Sequence, residues 1–553
     1  MSSLPVGLVQ VGLLVLALVA VHRPFGDYMA RVYTSDEHWR VERALYRVVR
    51  IDGDSPQRWT TYAAGVLGFS FVSIVLLYLL QRLQHLLPLS FGRGPVEPAT
   101  AFNTAVSFAT NTNWQSYVPE SVLGHTVQMT GLTVQNFVSA AVGMAVAVAL
   151  VRGFTGTATD RIGNVWVDIT RGVTRILLPI SLVAAVVLVA LGGAMSLASG
   201  IEVTGVDGHT YTIATAPIAS QEAIKELGTN GGGILNANSA HPFSNPGGWS
   251  NFLQLFLILV IPLCLTRTFG TMAGDRRQGY VLLSVMVSIL LLMTGAAWWA
   301  ETHPNGPATL AAGGAMEGKE ARFGIFLSAL YAVVTTGTST GAVNSMHDSF
   351  TGLGGAVPLL NMLLGEVAPG GVGAGLYGML MLAVIAVFLA GLMVGRTPEY
   401  LGKKLGRREI TAAAVSILAM PTVVLLGAGT ALALPGTLDA LNNSGAHGLS
   451  EVLYAYASTG NNNGSAFAGL TVTSDFFQST LGVAMLVGRF VPILAVLALA
   501  GALARQQRVP ATAGTLPTTG PLFAGLLGGT VVLVAALTFL PALALGPIAE
   551  ALA

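Results

Sequence analysis

Four short polar clusters recur in a chain that is otherwise apolar, and their residue types suit the binding of a monovalent cation. The clusters read TNTNWQ (110–115), GTNGGG (228–233), TGTSTG (336–341) and TGNNNG (459–464). Glycine permits backbone angles that line up carbonyl oxygens, threonine adds a hydroxyl oxygen, and asparagine adds a side-chain carbonyl oxygen. Because none of the clusters contains Asp or Glu, a Ca²⁺ or Mg²⁺ site is disfavoured. Neutral oxygens instead suit the dehydration of an alkali cation.

The four clusters share a sequence context. Each follows a stretch that is too short to cross a bilayer reliably; the stretches are EPATAFNTAVSFAT, IASQEAIKELG, KEARFGIFLSALYAVVT and HGLSEVLYAYAS. The clusters begin at Thr110, Gly228, Thr336 and Thr459, so a unit of similar length recurs four times. A short helix that enters a membrane presents its carbonyl end, which favours a cation. Four glycine-rich turns between helices are the alternative, and the repeat disfavours it.

The elements that must position these clusters are membrane-spanning helices. The chain has 553 residues, of which 53% are hydrophobic and only 10% charged, and a spanning helix needs about 20 mostly apolar residues. The first apolar segment is interpreted as a span and not as a signal peptide, because no basic residue precedes it. The sequence therefore predicts an all-α polytopic membrane protein of ten transmembrane helices, with four tandem helix–pore loop–helix units in fourfold pseudo-symmetry. The ten spans are centred near residues 12, 70, 138, 186, 258, 289, 381, 423, 493 and 533.

Basic residues set the predicted orientation. Of the 27 Lys and Arg residues, 21 lie in five connections, which are 23–58, 152–175, 267–277, 396–408 and 505–508. The positive-inside rule assigns these connections to the cytoplasm, so both termini are predicted to be extracytoplasmic. No basic block suited to nucleic acid is present. The predicted parts are an extra N-terminal transmembrane helix (1–22), a cytoplasmic amphipathic segment (23–58), pore units 59–152, 164–268, 277–396 and 409–505, and a C-terminal transmembrane helix (518–548).

The longer motifs around the clusters resemble one known family. NTNWQSY, GTNGGGILNANSAHPFSNP, TTGTSTGAVNSM, STGNNNGSAFAGL and the basic segment GRTPEYLGKKL are similar to motifs of the potassium-binding A subunits of bacterial Kdp potassium-transporting P-type ATPases, in the superfamily of potassium transporters. The resemblance covers essentially the whole chain, in order. It implies the ion-selecting, non-hydrolytic subunit of an ATP-driven potassium importer in the bacterial cell membrane, with extracellular K⁺ bound in a selectivity filter.

The resemblance also implies partners, a route for the ion and a set of filter residues. K⁺ would pass through an intramembrane tunnel to a P-type ATPase catalytic subunit, which uses the ATP. A third accessory subunit and a small single-span peptide would complete the complex, and no organic cofactor is implied. None of the clusters has the full TVGYG signature of potassium channels, which leaves open which oxygens face the ion. Carried over by motif, the filter residues are Thr110, Asn111, Thr112, Asn113, Gln115, Gly228, Thr229, Asn230, Gly231, Gly232, Thr336, Gly337, Thr338, Ser339, Thr459, Gly460, Asn461 and Asn462.

Two isolated charges interrupt apolar segments. Glu366 lies in LLNMLLGEVAPGG and Arg489 in GVAMLVGRFVPIL, and lone charges inside a membrane are costly unless they pair or line a cavity. They follow the third and fourth clusters, so we hypothesise an ion pair below the filter that obstructs straight-through flow. A purely structural pair, or two charges with separate partners, is the alternative. The glycines around Pro369 predict a broken helix at this point, a candidate gate.

Three basic residues are candidates for contact with the ATPase partner. Arg396, Lys403 and Lys404 lie in a predicted cytoplasmic connection. The alternative is that their charges only set the topology.

A stand-alone potassium channel or a cation symporter of the same pore-loop architecture is the competing function. A membrane enzyme is disfavoured because the chain has no G-x-x-x-x-G-K-[ST], H-E-x-x-H or D-K-T-G motif. Only the resemblance favours the pump over the channel.

Overall fold

The computed structural model describes residues 4–304, 313–512 and 514–552. Within these residues, ten helices are long and apolar enough to cross a membrane, which confirms the ten predicted segments. We call them spans 1 to 10 in chain order. They are Gly7–Thr34, Trp59–Arg82, Val127–Thr155, Val165–Ala190, Gly248–Met272, Arg276–Thr302, Ala374–Met393, Arg407–Ala433, Asp475–Arg505 and Pro521–Leu552.

Four shorter helices stand between spans and confirm the predicted repeat. Pore helix 1 lies between spans 2 and 3, pore helix 2 between spans 4 and 5, pore helix 3 between spans 6 and 7, and pore helix 4 between spans 8 and 9. Spans 1 and 10 flank the four units. A polar cluster closes each pore helix, as the sequence predicts. The bounds of pore helices 1 to 4 are Pro98–Ala109, Ile218–Leu227, Gly324–Gly337 and Gly445–Asn461.

The two spans of a unit differ in how deeply they are buried. The apolar windows of spans 3 and 5 are 83% buried, whereas those of spans 2 and 8 are 28% and 22% buried. The second span of a unit therefore lies inside the molecule and the first lies outside. Span 3 carries the small-residue sequence SAAVGMAVAVAL, and small side chains let helices approach closely. At Gly153 the approach is so close that a Cβ would lie 2.6 Å from the Cα of Ala500 in span 9.

The first helix is longer than the sequence suggests. It spans Leu4–Thr34 with Pro24 inside it, whereas the predicted end was residue 22. Proline removes one backbone hydrogen bond from a helix, but contacts with span 5 hold the next turns in place. Asp27 pairs with Arg267 at 2.8 Å and accepts a hydrogen bond of 2.6 Å from Thr271.

Short elements connect the spans. A hairpin of strands β1 (Gly200–Thr204) and β2 (Thr210–Ala214) follows span 4, with Gly200 paired to Ala214; it was not among the predicted elements. Strands β3 (Glu399–Tyr400) and β4 (Lys403–Lys404) pair between spans 7 and 8. The other short helices are Arg40–Val48, Gln84–Leu86, Pro119–Val122, Asn238–Ala240, His347–Ser349, Gly352–Leu363 and Pro435–Leu438, and π-helical turns occur at Val127–Thr133, Gly172–Leu177 and Ala544–Ile548.

Candidate functional site

The polar clusters form four loops of the same backbone conformation. In each loop two residues have positive φ and are separated by one residue; the pairs are Asn111 and Asn113, Thr229 and Gly231, Ser339 and Gly341, and Asn462 and Gly464. The residue between them donates its N–H to the carbonyl five positions earlier, at distances between 2.8 and 3.0 Å. These shared features define pore loops 1 to 4 as residues 110–113, 228–231, 338–341 and 461–464. A φ that changes sign at alternate residues turns successive peptide planes over, which can bring their carbonyl oxygens to one side.

The four loops form a closed ring. At each junction a glycine in or next to one loop packs directly on a backbone carbonyl of its neighbour, so closely that a Cβ would be in steric conflict. Loop 1 meets loop 2, loop 2 meets loop 3, loop 3 meets loop 4, and loop 4 meets loop 1. The fourfold repeat of the sequence is therefore also a ring in space. The junctions are Gly232 with Asn113, Gly231 with Thr340, Gly341 with Asn463, and Gly464 with Thr112.

Asparagine side chains brace the ring. The Asn111 amide donates a 2.8 Å hydrogen bond to the carbonyl of Thr229 in loop 2, and its own oxygen accepts one of 2.7 Å from the Ser139 hydroxyl. The Asn462 amide donates to the hydroxyl of Thr112 in loop 1 at 3.0 Å. Both amide groups therefore make hydrogen bonds to atoms of neighbouring loops. The backbone oxygens of the loops are thus held in place by the side chains around them.

Loops 3 and 4 begin two residues later than an alignment of the clusters by their first residues implies. Thr336 and Gly337 lie in pore helix 3, which ends at Gly337, and Thr459 and Gly460 lie in pore helix 4. Their places in the ring are taken by Thr340, Gly341, Asn463 and Gly464, which lie in the third and fourth clusters but not among the predicted filter residues. Glycine is the usual residue at positive φ. Aligning Gly231, Gly341 and Gly464 would have revealed the register.

Gln115 lies beyond loop 1 and makes a hydrogen bond to the segment after loop 2. Its side-chain oxygen accepts a 2.9 Å hydrogen bond from the backbone N–H of Gly233, and its amide donates to the Tyr117 hydroxyl at 3.1 Å. The side chain therefore links the first unit to the segment after loop 2. Of the other predicted residues of the first two clusters, 110–113 and 228–231 lie in pore loops 1 and 2, and Gly232 packs against Asn113 at the junction of these loops.

Glu366 and Arg489 face one cavity next to the ring. This cavity, of about 120 Å³, is also lined by Ser339 of loop 3, Asn462 of loop 4 and Phe539 of span 10. Glu366 accepts a hydrogen bond from the Ser339 hydroxyl, and Arg489 donates one of 3.3 Å to the Ser139 carbonyl. Among the described residues, no ion pair joins the two charges. The direct pair that the sequence suggested is thus replaced by two charges with separate partners.

The predicted break in the helix of the third unit is confirmed. Helix Gly352–Leu363 ends before span 7 begins at Ala374, and residues 364–373 form a loop. Two backbone N–H groups of this loop donate to the end of pore helix 3 and to pore loop 2. Gly370 donates to the Gly337 carbonyl at 2.7 Å, and Val372 donates to the Thr229 hydroxyl at 2.9 Å. The loop that carries Glu366 is therefore attached to pore loop 2 and to the last residue of pore helix 3, and Glu366 itself contacts pore loop 3 through Ser339.

One of the three basic candidates for a partner contact is buried within the chain. The Lys403 ammonium donates to the carbonyls of Gly156 and Gln506 at 2.6 and 2.7 Å, and the residue is fully buried. The short β3–β4 pairing turns it inward, so it offers no charge to a partner. Arg396 and Lys404 remain exposed.

Four pore helices that end in a closed ring of buried polar loops define a multi-pass membrane protein of the pore-loop class. A solved structure shares this fold: the potassium transporter TrkH from Vibrio parahaemolyticus superposes with a TM-score of 0.54 at 14% identity, over 86% of this chain and 96% of that chain. The family model described as the potassium-transporting ATPase A subunit matches residues 12–552. The chain therefore belongs to the family of potassium-transporting ATPase A subunits.

Relatives match along their whole length. A protein of Rhodococcus erythropolis is 63% identical over 551 residues, which cover 98% of both chains. Proteins of Mycobacteroides abscessus and Streptomyces coelicolor are 60% and 58% identical and cover all of this chain, with 99% and 100% of their own lengths matched. Each of the three is named a potassium-transporting ATPase potassium-binding subunit.

Proposed function

We propose that this chain is the potassium-binding, non-hydrolytic subunit of an ATP-driven potassium importer. The closed ring of pore loops 1 to 4 is the observation that carries the proposal, because it offers neutral oxygens around one axis. Such oxygens can replace the hydration shell of an alkali cation. The names of the relatives, which are 58–63% identical, support K⁺ as the transported ion. ATP hydrolysis belongs in this proposal to a P-type ATPase catalytic subunit.

The backbone carbonyls of the pore loops are the proposed ligands of K⁺. Asn111 and Asn462 donate their amides to neighbouring loops, which supports a bracing role for these side chains. The alternating sign of φ supports a row of carbonyl oxygens along each loop. The filter therefore comprises residues 110–113, 228–231, 338–341 and 461–464 in this proposal. In pore loops 3 and 4, Thr340, Gly341, Asn463 and Gly464 take the place of Thr336, Gly337, Thr459 and Gly460 in this proposed filter.

The cavity beside the ring is the proposed start of the tunnel to the ATPase subunit. Its lining by Ser339 and Asn462 supports a connection to the filter. Glu366 would attract a cation that leaves the ring, and the positive charge of Arg489 would oppose its passage. The loop at 364–373 is the proposed gate, since it holds Glu366 and contacts pore loop 2 through Thr229 and pore loop 3 through Ser339. A purely structural role for both charges is the alternative.

The assembly and the orientation belong to the same proposal. A third accessory subunit and a small single-span peptide complete the complex, and Arg396 and Lys404 are candidate contacts with the ATPase subunit. The basic connections support a cytoplasmic location, which places the pore helices on the extracytoplasmic side and both termini outside. The division into pore units 59–152, 164–268, 277–396 and 409–505 follows the repeat of spans and pore helices.

Purification separates the pump from the competing channel or symporter. A tag on this chain, co-expressed with the other subunits of a relative's transporter, is expected to isolate a complex whose ATP hydrolysis is stimulated by K⁺. The isolated chain in liposomes is expected to conduct no K⁺. Potassium flux through the isolated chain, without a co-purifying ATPase, would instead establish the channel.

A further inference from the structure

A short helix between spans 1 and 2, Arg40–Val48, carries exposed apolar side chains along one face. Val41, Leu45 and Val48 recur at i, i+4 and i+7, which places them on one stripe of the helix. Their exposed fractions are 61%, 44% and 80%, and Trp39, directly before the helix, is 48% exposed. A contiguous exposed apolar surface of this kind is typical of a protein–protein or membrane contact. We call these four side chains the apolar stripe.

Another side of the same helix is fixed to span 4. Glu42 is fully buried, and its Oε1 atom pairs with Arg175 of span 4 at 2.5 Å. Its Oε2 atom accepts a 2.8 Å hydrogen bond from the backbone N–H of Trp39, whose ring centre lies 4.7 Å from the guanidinium carbon of Arg175. Tyr46, one turn after Glu42, is buried and packs edge-on against the ring of His38. These contacts hold the helix in one rotation, with the apolar stripe directed outward.

The attachment point lies where the apolar part of span 4 begins. Arg175 is the last charged residue of this span, and residues 176–190 are uncharged. The carbonyl of Arg175 accepts a 2.8 Å hydrogen bond from the Tyr28 hydroxyl of span 1, and the neighbouring Asp27 pairs with Arg267 of span 5. Charged groups of three spans thus meet at one level. Because charges are costly inside the hydrocarbon, this level marks the edge of the apolar core, and the short helix lies at that edge.

Exposed arginines accompany the apolar stripe. At about 3.6 residues per turn, Arg40 and Arg47 adjoin the stripe, whereas Arg43 points away from it. Among the described residues, no acidic side chain forms an ion pair with any exposed arginine of this segment. The exposed arginines are Arg40, Arg43, Arg47 and Arg50.

Acidic residues flank the helix but do not offset these arginines. Glu42, the one acid within the helix, is buried in its own ion pair. Asp36 and Asp54 line a separate cavity. Glu37 and Asp52 are exposed in the loops before and after the helix. The exposed surface of the helix itself is therefore apolar on one side and basic beside it.

We propose that helix Arg40–Val48 docks on the membrane surface and binds anionic phospholipid headgroups. The apolar stripe enters the boundary between headgroups and acyl chains, and Arg40 and Arg47 beside it bind the phosphates. A lipid surface fits better than a protein partner, because the helix lies at the apolar edge of the spans and Trp39 is of the type enriched at membrane interfaces. The proposed orientation places this surface in the cytoplasmic leaflet, whose surface potential is negative. The docking itself goes beyond the proposed function and does not depend on it.

Fluorescent reporters on the full chain test the depth of the apolar stripe. Val48→Cys is labelled with an environment-sensitive fluorophore and placed in phosphatidylcholine nanodiscs that contain a fraction of lipid spin-labelled near the headgroup. The label is expected to emit as in an apolar medium and to be quenched about twofold or more by the spin-labelled lipid, with the chain alone and in the complex. Leu45→Cys repeats the test at a second position of the stripe. Arg43→Cys, on the same helix but away from the stripe, is the matched control and is expected to report water; the native Cys264 is buried and gives little background.

A change of lipid charge tests the arginines. At the same fraction, spin-labelled phosphatidylglycerol is expected to quench the Val48 label about two- to fivefold more than spin-labelled phosphatidylcholine, because arginines concentrate anionic lipid locally. This preference is expected to shrink as salt rises. The double variant Arg40→Gln/Arg47→Gln is expected to lose the preference and to keep the apolar emission. Arg276→Gln/Arg277→Gln, which removes two exposed arginines at the start of span 6, is expected to change neither.

Three results would overturn the proposal. Labels on the stripe that report water would show that the helix does not enter the membrane surface. Labels that are apolar in the complex but escape the lipid quencher would show that a protein subunit covers the stripe. Equal quenching by the two lipids, or a preference that survives Arg40→Gln/Arg47→Gln, would show that these arginines do not bind anionic headgroups. None of these readings requires potassium transport, so absence of K⁺-stimulated ATP hydrolysis would count against the proposed function alone.

Discussion

At the scale of single residues, the ring depends on glycines, which have no side chain to separate neighbouring loops, and on asparagines, whose side chains hold the loops together. Gly231 has a φ of +94° and lies against the Thr340 carbonyl, so a side chain there is excluded both by the backbone angle and by the neighbour. The asparagines beside it hold carbonyl and hydroxyl oxygens of other loops. Under the proposed function, the neutral backbone oxygens that these side chains hold in place are the ligands offered to the cation.

The substitution Gly231→Ala is expected to open the ring at the junction of loops 2 and 3. Its Cβ would collide with the Thr340 carbonyl oxygen, and an L-residue at this φ adds about 1 kcal/mol or more of strain. We expect the affinity for K⁺, measured as the KM in potassium-stimulated ATP hydrolysis, to fall by about tenfold or more.

A matched variant separates the strain from the collision. Gly208, in the turn of the β1–β2 hairpin, also has positive φ, but a Cβ there meets nothing within 4 Å. Gly208→Ala is expected to leave the KM for K⁺ unchanged. Equal effects of the two substitutions would show that the ring is not the site at which Gly231 acts.

Arg489 is expected to limit passive flow. It lines the cavity next to the ring without an ionic partner among the described residues, so its charge remains available to repel a cation. Arg489→Gln is expected to raise passive Rb⁺ leak into liposomes that contain the complex without ATP, or to abolish coupled uptake. Leak and coupling that both match the wild type would leave Arg489 with a structural role only.

At the scale of elements, the apolar patterns of the sequence predicted the pore helices, but the start of each loop depends on the residues at which the backbone adopts positive φ. The short stretches before the clusters form helices, and each helix ends within two residues of the first positive φ of its cluster. The start of loops 3 and 4 was missed because Thr336 and Thr459 still lie within helical turns. Residue type alone does not distinguish a threonine in the last turn of a helix from one that follows the helix. The hairpin β1–β2 was not predicted although the sequence signals it, because Ile201 and Val203, and then Tyr211 and Ile213, alternate with polar residues on the two sides of Asp207-Gly208.

The first turn of pore helix 4 is expected to be stabilised by a charged histidine. His447 lies 3.0 Å from Asp348, after loop 3, and 3.0 Å from Glu550 near the end of span 10. Hydrogen bonds with Asp348 and then Glu550 raise the pKa of His447 to about 10. The histidine, with an ordinary pKa near 6.5, therefore stabilises the fold fully below that value, and the contribution is lost as pH rises through the folded pKa.

Thermal unfolding against pH measures this link. From pH 7 to 10 the melting temperature of the wild type is expected to fall by about 2 °C or more beyond that of His447→Gln. The variant is the control for every other group that titrates in this range. Parallel curves for the two proteins would mean that His447 does not hold the two elements together.

At the scale of the whole molecule, the fold follows closely from the pattern of the sequence, while its internal contacts do not. Ten spans and a fourfold repeat were predicted, and TrkH shares the fold at 14% identity. A hydropathy pattern cannot show that Asp27 forms an ion pair with Arg267, or that the first helix continues beyond Pro24. Nor can it show that Lys403 turns inward onto two carbonyls. Both depend on long-range packing.

The orientation of the chain is testable by cysteine labelling. The native Cys264 is buried, so it gives little background with a membrane-impermeant maleimide. Asp207→Cys in the β1–β2 hairpin is expected to react in intact cells, and Arg43→Cys, between spans 1 and 2, only in inside-out vesicles. The reverse pattern would place the pore helices on the cytoplasmic side.

The position of bound ions tests the central claim most directly. Anomalous scattering from crystals of the complex grown with Rb⁺, a heavier analogue of K⁺, is expected to show ions on the axis enclosed by pore loops 1 to 4, within reach of their backbone carbonyls. Ordered loops with no anomalous signal on that axis, and Rb⁺ bound elsewhere in the chain, would contradict the account.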